Sequence, residues 1–230
     1  PEIAAGRPIA FTDVSNAIAA FMEFEWRSDD SPFDRHLRGD TPLTGAALAG
    51  MRLFYGKAGC AACHAGPFQT DHSFHAMGVP QIGPGKAARF ETHARDDGRL
   101  RVTGRAEDAF RFRTPSLRNV AQTAPYGHAG AEPDLRRFVA MHLRPGQTVA
   151  GFDGSRAVLP PLAGAEDWRV MTDAAGRDAI AAAAEPRGPP LGKAEIDALL
   201  AFLHALTDER ALAGRLGIPA AVPSGLDVPQ

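Results

Sequence analysis

Apolar residues recur at the spacing of an α-helix in several separated stretches of the chain, and each stretch predicts an amphipathic helix. The clearest lies near the C-terminus, where four apolar residues between Ile196 and Leu203 stand at i, i+3, i+4 and i+7 and share one face. A second apolar stripe runs from Val14 to Trp26. The predicted helices cover residues 11–26, a segment that opens at Thr44 and leads to Cys60, residues 133–143, residues 173–184 and residues 193–206.

The stretches between these helices show no sustained period. Residues 66–111 and 146–190 are rich in glycine, proline and polar residues, apart from the small helix inside the second stretch. A bound cofactor can substitute for missing apolar core, so we expect long ordered loops that wrap around one. Because there is no internal repeat and little strand pattern, the sequence predicts a mostly α fold with long irregular loops.

Charge and hydropathy exclude two classes of partner. The chain has 25 Lys and Arg against 27 Asp and Glu, so its charge favours neither a nucleic acid nor an anionic membrane as partner. Its apolar runs are far shorter than the roughly 20 residues of a membrane-spanning helix. We therefore expect a protein that binds no nucleic acid and has no membrane span.

The motif Cys60-Ala61-Ala62-Cys63-His64 uses both cysteines of the chain. Cys-x-x-Cys-His is the attachment signature of c-type haem, in which two thiols form thioethers and the histidine becomes the proximal iron ligand. A redox pair would not need His64, and a zinc site would need a second pair of ligands. The motif predicts one covalent haem c, bound through Cys60, Cys63 and His64.

Covalent haem attachment normally takes place outside the cytoplasm, which indicates a bacterial periplasm. A secretory signal peptide should therefore exist, yet Pro1-Glu2-Ile3 begins no such segment. We expect either a processed N-terminus or a piece of a longer polypeptide.

The second axial position of the iron decides the chemistry, because a strong ligand gives an electron-transfer centre and an open position permits peroxide activation. At about 100° per residue, His142 lies on the apolar face of the helix 133–143 with Leu135 and Phe138. Met141 lies about 120° away from Leu135. His142 is the predicted distal ligand and Met141 the alternative, while a histidine that only stabilises the helix C-terminus stays open. The other candidates are the remaining histidines and Met22, Met51, Met77 and Met171.

Further polar residues are candidates for the haem surroundings. His128 stands in a turn-rich segment and lies either near the haem edge or in a loop hydrogen bond. His72 and His75 are expected to face the same side, toward a propionate or solvent. One of three arginines is expected to pair with a propionate, since the guanidinium geometry suits carboxylates. These arginines are Arg111, Arg113 and Arg118.

Several segments together resemble the bacterial di-haem cytochrome c peroxidase and MauG family. The resemblance extends over residues 12–208, nearly the whole chain, and its combined motifs are specific. It is carried by residues 31–35, 50–54, 60–71, 74–80, 112–120, 123–128 and 198–203.

The resemblance implies two cytochrome c-like domains in the full protein, each with one haem. This chain resembles the C-terminal, electron-transferring domain, and the peroxide-reactive haem would belong to an N-terminal domain. The implied organisation is a linking helix and loop in residues 1–40, a cytochrome c-like haem domain in 41–210 and a tail in 211–230. Family members also bind calcium between the domains, partly through backbone carbonyls that align with Thr123 and Pro125.

The family's distal ligand is a methionine or a tyrosine seven residues after the position of Leu135, and this chain has His142 there. Helix geometry and alignment thus select the same residue, which departs from both family patterns. Ligation by two histidines implies a lower potential than ligation by histidine and methionine. Gly127 and Ala129 also differ from the family residues beside His128, so the role of His128 stays open.

Three functions compete. The first is the electron-transfer half of a periplasmic di-haem peroxidase that takes electrons from a small donor protein, a cytochrome c or a cupredoxin, and reduces hydrogen peroxide. In it the partner of this chain is an N-terminal haem domain or a second subunit. The second is a stand-alone mono-haem electron carrier. The third is a MauG-like enzyme that oxidises a protein.

Overall fold

The structure is a computed structural model that describes residues 8–82, 94–159, 161, 167–185 and 188–227. Short 3₁₀ turns cover Cys60–Ala62, Ala106–Asp108, Val120–Gln122 and Gly154–Arg156. The α-helices are α1 (Phe11–Glu25), α2 (Pro32–Arg38), α3 (Gly45–Tyr55), α4 (Leu100–Thr103), α5 (Leu135–His142), α6 (Gln147–Ala150), α7 (Arg169–Thr172), α8 (Ala174–Ala183), α9 (Lys193–His204) and α10 (Glu209–Ala213).

The prediction of a mostly α fold with long irregular loops is confirmed. In the described residues, the strands are limited to β1 (Phe74–His75) and β2 (Phe112–Arg113), which pair antiparallel with His75 opposite Phe112. Within the predicted loop region 66–111, the structure describes residues 66–82 and 94–111. None of the helices in the described ranges combines the length and apolar character that crossing a bilayer requires.

The chain forms two compact units, Pro1–Pro42 with Thr207–Gln230, and Leu43–Leu206. The first contains α1, α2 and α10, and the second contains α3 to α9 and both strands. The sequence-based boundaries after residues 40 and 210 stay a prediction.

In the unit Leu43–Leu206, α3 and α9 cross in close contact. A Cβ on Gly50 would overlap the carbonyl of Ala198 and lie 2.9 Å from the Cβ of Phe202. Phe202 is fully buried, and its ring centre lies 5.1 Å from that of Phe54. Helix α9 therefore packs on α3 through Ala198 and Phe202, while Leu199 and Leu203 of the predicted apolar face are buried. This crossing also fixes the direction in which α3 delivers the chain to Cys60.

A second apolar cluster in the same unit supports the irregular segments. It contains Phe110, Val149, Val170, Met171 and Ile180, which are all buried. Residues from the loops and from α6, α7 and α8 thus share one small core. Met171, one of the candidate distal ligands, is packed in this core.

In the unit formed by residues 1–42 and 207–230, two buried carboxylates satisfy backbone donors. Asp208 accepts hydrogen bonds from the N–H groups of Asp29 at 2.9 Å and Asp30 at 2.8 Å. Glu25 accepts one from the N–H of Leu216 at 2.6 Å. The helix predicted over residues 11–26 is present, but its apolar stripe is exposed, with Ile18 54% accessible.

Helix α2 lies in a stretch for which the sequence predicted no helix. The Ser31 hydroxyl accepts a hydrogen bond from the N–H of Asp34, and the Asp34 carboxylate accepts one from the N–H of Ser31. This capping box, followed by Pro32 at the first helical position, starts a helix without a long apolar period.

Candidate haem-binding site

A cavity of about 620 Å³ opens inside the unit Leu43–Leu206. Cys60, Cys63, His64 and His142 all line it, together with apolar residues such as Leu203. Cofactor pockets typically measure roughly 300–1,000 Å³ and combine apolar walls with a few placed polar groups. The predicted ligands therefore meet around one space of suitable size.

The motif of two cysteines and a histidine folds as a tight turn after α3. Gly59 has a φ of +68°, which favours glycine, and the 3₁₀ turn Cys60–Ala62 follows it. The N–H of His64 then donates to the carbonyl of Cys60 at 2.9 Å. The turn brings both sulfurs and the imidazole to the same cavity wall.

Burial raises the pKa of the Cys60 thiol to about 11, assisted by the neighbouring Cys63 and opposed by a backbone hydrogen bond. A thioredoxin-like redox pair relies on a lowered thiol pKa, because the thiolate is the attacking species. Cys60 therefore has the opposite environment. This observation weakens the redox-pair alternative and is compatible with a thiol that ends as a thioether.

His64 is buried, with 9% of its surface accessible. Its Nδ1 lies 3.2 Å from the carbonyl oxygen of Gln69, and because a carbonyl only accepts, Nδ1 carries the proton. The lone pair is then on Nε2. Histidine ligands of metals are commonly oriented in this way by a carbonyl or carboxylate partner.

His142 is the last residue of α5, and its ring centre lies 6.2 Å from that of His64. Two imidazoles on opposite sides of one metal, with metal–nitrogen bonds of about 2.0–2.1 Å, have ring centres roughly 6.3 Å apart. The separation of the two ring centres therefore matches that expected of two histidines that would hold one iron. Met141 is not among the residues that line the cavity, whereas Met77 is.

Helix α5 is held at its N-terminus by acidic residues. The Asp134 carboxylate accepts a hydrogen bond from the N–H of Arg137 at 2.8 Å. Glu132 is 4% accessible and contacts Arg137 and Arg156, each at 3.1 Å. Desolvation opposes ionisation, but the hydrogen bonds from Arg156, the N–H of Asp134 and Arg137 outweigh it and lower the pKa of Glu132. These contacts fix the axis along which His142 reaches the cavity.

The three candidate arginines have different surroundings. Arg113 lines the cavity, and its Nη2 lies 2.6 Å from Nδ1 of His72. Arg111 pairs with Glu185 at 2.7 Å, and Arg118 donates to the carbonyl of Pro67 at 2.7 Å. Of the three, Arg113 is the one on the cavity wall.

His72 and His75 do not share one environment. His75 lines the cavity and its ring nitrogens face Asp71 at 2.8 Å and Glu185 at 3.1 Å. His72 is exposed and has a φ of +56°, a left-handed conformation that interrupts the extended backbone before β1. The expectation that both histidines face the same side does not hold, because of the two only His75 lines the cavity. Its partner Glu185 is 110 residues away in the sequence, so no local signal marks it.

His128 combines both of the environments considered for it. It lines the cavity, its ring stacks on Phe112 with centres 3.7 Å apart, and its Nε2 lies 3.1 Å from the buried Asp96. Thr123 and Pro125, the candidate calcium residues, are exposed and also contribute to the cavity lining.

The chain is similar in sequence to bacterial cytochrome c peroxidases and to MauG. Cytochrome c peroxidase Ccp of Escherichia coli (strain K12) is 41% identical over 134 residues, which are 57% of this chain and 27% of that protein. Cytochrome c551 peroxidase of Pseudomonas aeruginosa is 36% identical over 138 residues, 60% of this chain and 38% of that protein. Methylamine utilization protein MauG of Methylorubrum extorquens is 35% identical over 144 residues, which are 61% of this chain and 37% of that protein. No family model matches the sequence.

Solved structures agree with the sequence matches. A MauG-like protein associated with microbial copper homeostasis has a TM-score of 0.59 and 29% identity, covering 92% of this chain and 59% of that one. The diheme peroxidase BthA from Burkholderia thailandensis has a TM-score of 0.56 at 23% identity, which indicates the fold alone. The chain matches less than half the length of the curated relatives.

Proposed function

Because the chain is homologous to di-haem cytochrome c peroxidases and MauG, we propose that it is the electron-transfer haem domain of a periplasmic di-haem peroxidase-type oxidoreductase. The observation that carries the proposal is the pair His64 and His142, whose ring centres lie 6.2 Å apart beside both cysteines. Two histidines on one iron leave no open axial position, which suits electron transfer and not peroxide binding.

In this proposal Cys60 and Cys63 form the thioethers, His64 is the proximal ligand and His142 the distal ligand. Bound here, one haem c would supply a one-electron centre with both axial positions filled. The hydrogen bond from His64 to Gln69 orients the proximal ring and increases its basicity. Phe54 and Leu199 belong to the apolar part of the wall that would contact the haem.

The second haem of the proposed enzyme belongs to a part of the protein beyond this chain's match to its relatives. Those relatives are more than twice as long as the matched region. The exposed apolar residues of α1, among them Ile18 and Phe21, support contact with an N-terminal haem domain or a second subunit. Hydrogen peroxide is the proposed substrate of the full protein, and a small cytochrome c or cupredoxin is its proposed donor.

A MauG-like enzyme that oxidises a protein is the second candidate. It is favoured by the structural match to a MauG-like protein over 92% of the chain. This domain would have the same electron-transfer role in both cases. Turnover of peroxide by the full protein with reduced cytochrome c distinguishes the peroxidase from the MauG-like enzyme, which would show little of it.

Calcium binding through the carbonyls of Thr123 and Pro125 is also proposed. Both residues are exposed beside the cavity, and carbonyl oxygens are ligands that Ca²⁺ accepts. A site with so few protein ligands from this chain would need further oxygen ligands from the partner domain. Calcium should therefore bind the full protein more tightly than this chain.

The proposal is tested by producing the chain in a periplasm that carries out c-type haem maturation. We expect one covalent haem per chain by mass spectrometry, with loss of covalent attachment in the Cys60→Ala/Cys63→Ala variant. The chain alone should show no appreciable peroxide turnover. Absence of covalent haem, or robust peroxide turnover by this chain, would contradict the proposal.

A further inference from the structure

His75 stands between two carboxylates at the wall of the candidate haem site. Its Nε2 lies 2.8 Å from Oδ2 of Asp71, and its Nδ1 lies 3.1 Å from Oε2 of Glu185. Only the doubly protonated ring donates hydrogen bonds from both nitrogens. The geometry therefore favours a positively charged imidazolium at this position.

The two carboxylates are themselves held ionised. For Asp71, desolvation opposes ionisation, but hydrogen bonds from His75, the N–H of Ser73 and Thr114 outweigh it and lower the pKa to about 2. For Glu185 the same balance lowers the pKa, with His75, the N–H of Ala76 and Arg111 as the stabilising groups. The cluster thus contains two negative and two positive side chains.

Within this cluster both His75 and Asp71 lie near the proposed haem attachment. The sulfur of Cys63, a carboxylate oxygen of Asp71 and a ring nitrogen of His75 all lie within 4.8 Å of one another. The N–H of Asp71 also donates to the carbonyl of Cys63 at 2.7 Å, which fixes the loop against the motif. Both His75 and Cys63 line the cavity, whereas Asp71 and Glu185 are not among the lining residues.

We propose that His75 is a redox-tuning residue, which holds a positive charge beside the sulfur of Cys63 and thereby raises the reduction potential of the haem attached there. A nearby cation favours the ferrous form, because reduction removes one positive charge from the iron. Partial burial strengthens the effect, since the charge is less screened than on the open surface. The inference rests on the proposed function, because it requires a haem at Cys63.

His72 provides a matched contrast on the same segment. Its Nδ1 lies 2.6 Å from Nη2 of Arg113, and because a guanidinium only donates, that nitrogen accepts and carries no proton. His72 is therefore neutral in this arrangement, and it is not among the cavity-lining residues. Replacing His72 by glutamine removes an imidazole from the same loop without removing a charge.

The test measures the reduction potential of the haem-loaded chain in His75→Gln, His75→Lys and His72→Gln. In His75→Gln the ratio of ferrous to ferric protein at a fixed ambient potential should fall by up to about tenfold, equal to about 59 mV for a one-electron couple. His75→Lys restores a cation and should recover most of the wild-type ratio. His72→Gln should leave the ratio within about twofold of wild type.

An unchanged reduction potential in His75→Gln would overturn the proposal. An equal fall of the potential in His75→Gln and His75→Lys would also overturn it, because that result is expected if His75 has a purely structural role. If the His75→Gln variant binds no haem, the reduction potential of the His75→Lys variant is the deciding measurement. A near-wild-type potential in that variant supports the tuning role, and failure to load haem contradicts it. Failure of the proposed function would be recognised separately, because the wild-type chain would then carry no covalent haem.

Discussion

The imidazole rings of His64 and His142 have their centres 6.2 Å apart, with 48° between the ring planes. The two residues are far apart in sequence, one in the turn after α3 and the other at the end of α5. The crossing of α3 with α9 fixes the first, and the acidic contacts at the start of α5 fix the second. Two unrelated parts of the fold thus converge on the spacing that one six-coordinate iron requires.

Replacing the proposed distal histidine should change the ligand field in a defined way. In His142→Met we expect a higher reduction potential and the long-wavelength absorption band of thioether-ligated ferric haem, since methionine favours the ferrous state. Redox titration followed by absorption measures both. Met141→Leu is the control and should change neither, because Met141 does not line the cavity. A ligand change in Met141→Leu would instead assign the distal position to Met141.

The N-cap of α5 should contribute measurably to stability. Asp134→Ala removes the acceptor of the Arg137 N–H, and we expect a loss of about 1 kcal/mol in the free energy of unfolding. Asp134→Asn keeps a side-chain acceptor and should lose markedly less. Urea unfolding of the haem-loaded variants measures the difference. Equal losses in both variants would show that the charge of Asp134, and not its cap hydrogen bond, is what matters.

The helix crossing at Gly50 should tolerate no side chain. In Gly50→Ala the added Cβ would overlap the carbonyl of Ala198, so α3 and α9 must separate. Overpacking of this kind costs about 1–3 kcal/mol, and backbone overlap places this variant at the upper end. Gly151→Ala is the control, because a Cβ there meets nothing within 4 Å. Thermal unfolding compares the two, and similar melting temperatures would contradict the close crossing.

The carboxylate of Asp71 should stabilise the fold in a pH-dependent manner. Its pKa in the folded chain is about 2, below the ordinary value of 3.8, because the hydrogen bonds from His75, Ser73 and Thr114 outweigh desolvation. A lowered pKa contributes stability above the ordinary value, and that contribution is lost as the pH falls through about 2. Because the residue is partly exposed, we expect less than about 1 kcal/mol.

The Asp71→Asn variant should therefore have a lower free energy of unfolding than the wild type at pH 6. This difference should narrow below about pH 4, near the ordinary pKa, and vanish near about pH 2, the pKa in the folded chain. Denaturant unfolding at several pH values measures it. A difference that is constant across this range would show that the residue acts by packing and not by ionisation.

The periodic helices were predictable from the sequence because each has a long apolar stripe. The predictions for residues 11–26 and 193–206 correspond to α1 (Phe11–Glu25) and α9 (Lys193–His204). Helix α2 was missed because its start depends on a capping box at Ser31 instead of a period. That signal was readable in the sequence, since serine stands three residues before an aspartate.

The polar surroundings of the site were less predictable, because they depend on contacts between distant segments. His142 was selected by helix geometry, since its neighbours on α5 define one apolar face, and the family alignment selects the same position. His75 was named together with His72, but its surroundings were not predictable, because Glu185 approaches it from 110 residues away and the backbone at His72 is left-handed. The exposure of the apolar stripe on α1 could not be predicted either, because an apolar stripe does not indicate which partner covers it.

The axial ligation of the ferric haem-loaded chain tests the central claim most directly, by electron paramagnetic resonance together with near-infrared magnetic circular dichroism. We predict a single low-spin species with two histidine ligands, from His64 and His142, and no methionine charge-transfer band. A methionine band would move the distal position to Met77 or Met141. A high-spin ferric signal would show an open axial position, and the chain would then be a site of peroxide chemistry instead of an electron relay.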